Sequence, residues 1–407
     1  MGAEGFTVRV GTAEEFGEIY RLLSMSFNDD PDDAVQEAER LVFEPERSIV
    51  TTVGGRIVGA AGAYSREMAV PGAVLPVAHV TMVGVEPTQR RQGILNRMMT
   101  FQLADVRARG EAVAALWASE GKIYQRYGYG MAARRLSLDV EREVKLRERV
   151  PPGRLRAAVP GEVIGDLQKV YDQVRVERAG WSSRDGVWWE HLLTDVPKRR
   201  NGASALRAVL HDGDAGVDGY ALWRVKADWD AGGPKGTVIV REVVAGTLDG
   251  YKSLWQYLLS VDLTRTTSYW LAALDEPLQY LVDEPRRLGS RIGDSLWVRL
   301  VDLPAALAAR RYAAPVDVVI EVEDPLIPAN SGTWHLVGDP GTATCRRADR
   351  PAELRAEIGA LGAAYLGDAS LAALAAAGRV QDLGSDKLAA TSTAFGWPRV
   401  PSSFEIF

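Results

Sequence analysis

Cys345 is the only cysteine in the chain, so neither an intrachain disulfide framework nor a cysteine-rich metal site can form. Histidine is nearly as scarce. His79, His191, His211 and His335 are the four, and no two stand at the i, i+4 spacing that would put a pair on one helical face. No metal is therefore expected. No apolar run is long enough to cross a bilayer, so no membrane span is expected either. The opening Met1-Gly-Ala-Glu-Gly-Phe6 lacks the basic stretch and apolar run of a signal peptide. Phe6 also occupies the place where a myristoylation signal needs Ser or Thr. A basic excess is missing too: the formal net charge is -6, whereas a nucleic-acid partner ordinarily leaves a basic stripe. These absences lead us to expect a cytoplasmic protein without nucleic acid among its partners.

What the chain does have is apolar material in regular periods. With 407 residues, 46% of them hydrophobic and 25% charged, it is long enough for roughly two or three domains with sizeable cores. In the first, Phe6–Val10 reads as a strand. Thr12 and Glu15 form a capping-box pair, and Phe16, Ile19, Tyr20, Leu23 and Phe27 follow at helical spacing. Ser48–Val53 and Ile57–Tyr64 flank Gly54-Gly55, a hairpin signal. A strand over Ala78–Val85, a helix from about Gln92 to Arg109, a strand over Ala112–Ala118, a short helix near Lys122 and a closing strand near Arg135–Val140 complete an α/β domain.

The charged, proline-containing stretch Glu141–Pro152 reads as a linker. After it a similar order of elements returns: a helix over Val163–Val174, paired strands at Ala205–Leu210 and Gly219–Val225, a strand at Thr237–Val244, a helix from Asp249 and a strand at Tyr269–Ala273. From about Arg291 the style changes. Strands are expected at Leu296–Val301, Val316–Val322 and Thr333–Val337, with Ala-rich helices at Ala305–Arg310, Ala352–Tyr365 and Ser370–Ala377, as in a separate α+β domain.

The chemistry is concentrated in Val83-Gly-Val85-Glu-Pro87-Thr-Gln-Arg90-Arg91-Gln92-Gly93-Ile94-Leu95. A strand ends, proline stops it, and a basic, glycine-containing loop opens a helix. Amides of a first helical turn have no intrahelical partner, and the helix dipole adds positive character there. A diphosphate can sit on those amides, with Arg90 and Arg91 adding charge-assisted bonds. The main chain at Val83 and Val85 can pair with an extended amide-bearing arm as an added strand would.

This segment resembles motif A of the GNAT N-acetyltransferases, which implies acetyl-CoA as cosubstrate, bound through Val83, Val85, Arg90, Arg91, Gly93 and Ile94. The likeness extends to Ala114-Ala-Leu-Trp117-Ala-Ser119-Glu-Gly121-Lys-Ile-Tyr124-Gln-Arg-Tyr127-Gly-Tyr-Gly130 and to Phe404-Glu405-Ile406-Phe407. Together these are similar to the Eis (enhanced intracellular survival) acetyltransferases. That resemblance implies an α+β chain of two tandem GNAT-like α/β domains, 1–145 and 146–290, followed by a sterol-carrier-protein-like domain, 291–407. It implies Ser119 as a further acetyl-CoA contact, Tyr124 as general acid and the terminal carboxylate of Phe407 as general base. It further implies a homohexamer that acetylates amines of polycationic small molecules such as aminoglycosides, at one or several positions. Lysine or polyamine acylation is an alternative within the same chemistry. From another class, the C-terminal domain could bind an apolar ligand on a non-enzymatic scaffold.

Substrate-side candidates are Phe27 and Asp29 at the end of the first helix, Met82, Trp117 and Glu405. Carboxylates and aromatic walls suit a polycation, although Phe27–Asp30 also reads as a surface acidic turn. Tyr124 likewise reads as an aromatic packed beside Tyr127 and Tyr129. In the middle domain the corresponding loop, Val243–Gly250, has no arginine pair and places Asp249 where a phosphate would need positive charge. No coenzyme A site is expected there, and Trp188 and Trp189 read as core.

Overall fold

The computed structural model describes residues 5–150 and 154–407. The start at Met1–Glu4 and the linker prolines Pro151 and Pro152 lie outside the described residues. The chain divides into two compact units. One comprises the chain up to Ala133 with Ser295–Pro398 and Ile406–Phe407; the other comprises Arg134–Asp294 with Arg399–Glu405.

In the first unit the strands Thr7–Val10 (β1), Ile49–Val53 (β2), Arg56–Val70 (β3), Ala73–Val85 (β4), Val113–Trp117 (β5) and Gly130–Met131 (β6) form one sheet, joined by a strand from much later in the chain, Leu296–Leu300. That late strand lies between β5 and β6. Helices Phe16–Ser26 (α1), Asp33–Arg40 (α2), Ile94–Ala108 (α3) and Gly121–Gln125 (α4) belong to this part of the chain. Helix α3 buries Met98, Met99, Leu103 and Val106, the apolar stripe of its sequence. Only half of the expected capping box at α1 is present. The Thr12 amide donates to Glu15 Oε2 at 3.0 Å, while no side chain caps the helix at Glu15.

The second unit holds Arg134–Glu141 (β7), Leu155–Ala158 (β8), Arg207–Gly213 (β9), Gly216–Lys226 (β10), the small hairpin Trp229–Asp230 (β11) with Gly233–Pro234 (β12), then Gly236–Ala245 (β13), Thr264–Ala272 (β14) and Arg291–Asp294 (β15). Its main sheet runs β15-β7-β14-β13-β10-β9-β8. The helices are Ile164–Arg175 (α5), Gly186–Leu193 (α6), Leu248–Leu259 (α7) and Leu278–Leu281 (α8). Of the two tryptophans read as core, Trp189 is fully buried in α6 and Trp188 is only half-buried.

Two strands therefore pair otherwise than the sequence suggested. The stretch near Arg135–Val140 does not close the first sheet. As β7 it is antiparallel to β14 and β15 in the second unit. The late strand Leu296–Leu300, now β16, instead pairs antiparallel with β5, from Leu296 opposite Trp117 to Leu300 opposite Val113. All five of its residues are buried, so both faces of this antiparallel strand are covered.

The remainder of the first unit contains Leu303–Ala309 (α9), Val316–Glu323 (β17), Gly332–Gly338 (β18), Ala343–Arg347 (β19), Leu354–Glu357 (β20), Ile358–Ala364 (α10), Leu371–Ala376 (α11), Val380–Asp382 (β21) and Leu388–Phe395 (α12). Its sheet has the order β19-β18-β17-β20-β21. The expected helix over Ala352–Tyr365 begins as a strand, and only Ile358–Ala364 is helical. Leu354–Glu357 alternates buried and exposed, and it pairs parallel with β17 before the helix begins.

Candidate active site

The site starts from an irregularity in β4. Opposite the step from Ala60 to Gly62 on β3, β4 moves from Gly84 to Thr81, one residue more than its partner. The extra residue is accommodated at Met82, whose φ of 52° is left-handed and uncommon for a side chain of its size. This is a β-bulge, and bulges bend a strand. The parallel pairing of β4 with β5 covers only Val77–His79 against Val113–Ala115. Beyond His79, β4 continues to Val85 with no strand partner on its β5 side among the described residues.

At the end of β4 the chain turns through Pro87–Gln89 into Arg90, Arg91, Gln92 and Gly93. Arg91 has φ 65° and Gly93 φ 84°, and left-handed residues in such a loop make an anion-binding nest of backbone amides. A side chain on Gly93 would meet nothing within 4 Å. Glycine is needed there for its φ, and the space beside it is open. Gly93 caps α3 without a side-chain hydrogen bond. The first helical bond runs from the Arg97 amide to the Gly93 carbonyl, so the preceding amides have no helical partner. Arg90 reaches back over this opening, donating from Nη2 to the Ser26 carbonyl at 3.2 Å and from Nε to the Val85 carbonyl at 3.4 Å.

The opposite wall is α4. A Cβ at Gly121 would lie 2.8 Å from the Trp297 ring, so only glycine lets this short helix sit against β16. Tyr124, on α4, is 5% exposed. It shares a hydrogen bond with Ser119, and burial, the largest effect, raises its phenol pKa despite that bond. The hydroxyl thus keeps its proton throughout the neutral range. Its ring meets Tyr129 edge-on at 6.1 Å.

Strand end, loop, α3 start and α4 enclose one cleft of about 550 Å³, within the usual range for a small-molecule site. Among the described residues no cluster of His, Cys, Asp and Glu suits a metal ion, and no helix is long and apolar enough to cross a membrane.

Comparison with known proteins agrees with this architecture. The acetyltransferase (GNAT) domain family matches residues 7–132, a second GNAT acetyltransferase domain matches 180–300, and the sterol carrier protein domain matches 303–403. An uncharacterized N-acetyltransferase of Streptomyces avermitilis is 44% identical over 365 residues, covering 88% of this chain and 89% of its own. The N-acetyltransferase Eis of Mycobacterium bovis is 32% identical over 400 residues, covering 94% of this chain and 95% of its own. The crystal structure of Eis1 from Mycobacterium abscessus superposes with a TM-score of 0.86 at 30% identity, over 98% of this chain and 100% of that one. The chain belongs to the Eis family of GNAT N-acetyltransferases. It is an acetyltransferase with two tandem GNAT domains and a C-terminal sterol-carrier-like domain, and enzymes of the GNAT class use acetyl-CoA.

Val83, Val85, Arg90, Arg91, Gly93, Ile94, Ser119, Tyr124 and Phe27 all line this cleft. Phe27 is 54% exposed at its mouth. Asp29 and Asp30 follow it on the exposed turn after α1 and are not part of the lining. Met82 is the bulge residue itself, and Trp117 ends β5 opposite Leu296; neither lines this cleft. Phe407 belongs to the first unit, where its ring lies 4.7 Å from that of the buried His79. Glu405 is a correction. It belongs to the second unit, is buried there, and its carboxylate is bound by Nε of Arg184, so it is not a substrate-side group of this cleft.

Asn28, Gln89, Asn96 and Arg126 also line the cleft and were not anticipated. Arg126 was within reach of sequence reasoning: it stands two residues after Tyr124, where a phosphate-bearing ligand benefits from a further cation.

The Eis-family residues fit acetyl-CoA. The open nest and uncapped helix start suit its diphosphate, and the unpaired β4 edge suits its amide-bearing arm.

Proposed function

We propose that this enzyme acetylates amines of polycationic small molecules, aminoglycosides among them, at more than one position, with acetyl-CoA as donor. The observation carrying the reading is that one cleft joins an uncapped helix start, a strand edge without a partner and a buried, protonated Tyr124. Acetyl-CoA supplies the activated acetyl thioester. Gly93 and Ile94 with Arg90 and Arg91 hold the diphosphate, and the main chain at Val83 and Val85 holds the arm. Ser119 orients the Tyr124 hydroxyl, which gives its proton to the departing sulfur. A backbone N–H near Val83 or Val85 is the donor to the acetyl oxygen. The carboxylate of Phe407 takes the proton that the amine loses. The C–N bond forms as the C–S bond breaks, and both protons are accounted for.

On the amine side, Phe27 offers an aromatic wall, and Asp29 with Asp30 adds negative potential for a polycation. Met82 and Trp117 stay in this reading as substrate walls. The second GNAT domain has no cofactor role in it. Its α7 start is capped by Thr247, which accepts from the Gly250 amide at 3.1 Å, and Asp249 stands in the first turn. A cytoplasmic homohexamer completes the reading.

Thiol release from acetyl-CoA, followed with aminoglycosides, polyamines and lysine peptides in parallel, tests it. Aminoglycosides are expected to turn over fastest and to gain more than one acetyl group by mass spectrometry. Turnover of lysine peptides alone would exclude the polycation reading. Replacing Arg90 and Arg91 together by Ala should weaken acetyl-CoA binding by about ten- to a hundredfold in calorimetry. Unchanged affinity would remove the basic loop from the site.

A further inference from the structure

The second GNAT domain repeats the device of the first. Its β13 and β14 run parallel from Gly236 opposite Thr264 to Val240 opposite Tyr269, and there the pairing ends although β13 continues to Ala245. Against β10, Trp223 stands opposite Val240 and Leu222 opposite Glu242, so Arg241 is an extra residue and β13 is bulged. Bulge and splayed strands again precede a helix start, that of α7. This second opening, a cleft of about 250 Å³, is lined partly by Arg399, Ser402 and Phe404 from the end of the chain.

The segment 399–405 is anchored to this domain at several points, of which Arg178 and Trp181 belong to the cleft lining. Arg399 pairs with Glu177 at 3.0 Å. The Val400 amide donates to Asp275 at 3.1 Å, and the Val400 carbonyl accepts from Arg178 at 2.7 Å. The Ser402 amide donates to the Ala179 carbonyl at 3.0 Å, while its hydroxyl accepts from Trp181 Nε1 at 3.0 Å. The Phe404 ring packs on Trp181 at 4.3 Å. Glu405 is bound by Nε of Arg184, whose two terminal nitrogens form a fork on Glu242 at 3.0 and 2.8 Å. Glu242 is the residue beside the bulge, and it also accepts from Tyr220 at 2.8 Å. The guanidinium lies 3.9 Å from the Tyr171 ring centre and 4.9 Å from that of Trp189. The planar guanidinium thus combines a bidentate ion pair with contacts to two aromatic rings.

We propose that the splayed cleft of the second GNAT domain is a receptor for the chain's own segment Arg399–Glu405, with Arg184 and Trp181 as positioning residues for the carboxylate two residues further on. In this domain the opening takes a peptide of fixed sequence, anchored by one aromatic ring and one carboxylate. The proposal rests on the reading of Phe407 as the base, and its test separates the two.

Full-length Phe404→Ala and Glu405→Ala are compared with the parent enzyme for release of Phe407 by a carboxypeptidase, for kcat and for acetyl-CoA affinity. Release should quicken by about tenfold or more in both variants, since each removes an anchor against local opening. The kcat should fall by about ten- to a hundredfold, as misplacement of a reacting group does. Acetyl-CoA affinity should stay within about twofold, because neither Phe404 nor Glu405 lines the Val83–Tyr124 cleft. Glu405→Gln, which keeps an acceptor for Arg184, should restore most of both losses. Unchanged release in both variants, or acetyl-CoA affinity lost in step with kcat, would overturn the proposal. If deleting Phe407 leaves turnover unaltered, the base assignment fails, while release of the terminal residue still reads the docking.

Discussion

Exchanging Tyr124 for Phe should lower kcat by about two to four orders of magnitude, the usual worth of a positioned proton donor. The substitution removes one oxygen and keeps the ring, so the edge contact with Tyr129 persists and stability should change little. The loss should appear equally in kcat and kcat/KM, as for an interaction made only in the transition state, with acetyl-CoA binding retained. The pH profile gives a second reading. Burial raises the Tyr124 pKa above that of an ordinary phenol, so its proton is present throughout the neutral range. In the parent enzyme no alkaline loss of rate from this group is expected below about pH 10. A Phe variant with parental kcat would exclude Tyr124 as the acid.

Deleting Phe407 should cost about two to three orders of magnitude in kcat. The carboxylate would move to Ile406, one residue short, or about 3.3 Å of extended chain, which is beyond hydrogen-bond reach of the former position. The ring that lies against His79 would go with it. Without an internal base the enzyme depends on amine already deprotonated in solution. Its residual kcat/KM should therefore rise about tenfold per pH unit up to the pKa of the amine. Steady-state rates between pH 6 and 9 distinguish this from a general loss of structure, which would lower the profile without tilting it. Parental activity in the shortened chain would remove the terminus from the mechanism.

The cleft beside Val83–Leu95 was legible because its signals are local. Strand end, Pro87, the arginine pair, Gly93 and the apolar stripe of α3 follow one another within a few turns, and the Gly121–Tyr124 helix has its own short pattern. The bulge was not legible: nothing in Thr81-Met82-Val83 announces a left-handed residue, since β3 sets the register from outside. Glu405 was misread for a similar reason. A carboxylate between aromatics looks like a cation-binding group until Arg184, 221 residues earlier in the chain, is seen to hold it. The two exchanged strands have the same cause, because alternation identifies a strand and does not name its neighbour. At Leu354–Glu357 composition favoured a helix, while the buried-exposed alternation imposed by pairing with β17 decided for a strand.

The late arrival of β16 has a consequence for biogenesis. On the ribosome, β5 emerges long before the strand that covers its edge. Until Leu296–Leu300 has been made, that edge offers unpaired peptide groups to any passing strand. The sheet of the first GNAT domain is thus N-terminal in sequence but late to mature, and Gly121 has no Trp297 ring to seat α4 until the second unit has been synthesised. Nascent chains that stall within the second unit would carry an open sheet, the form of intermediate that aggregates or engages chaperones.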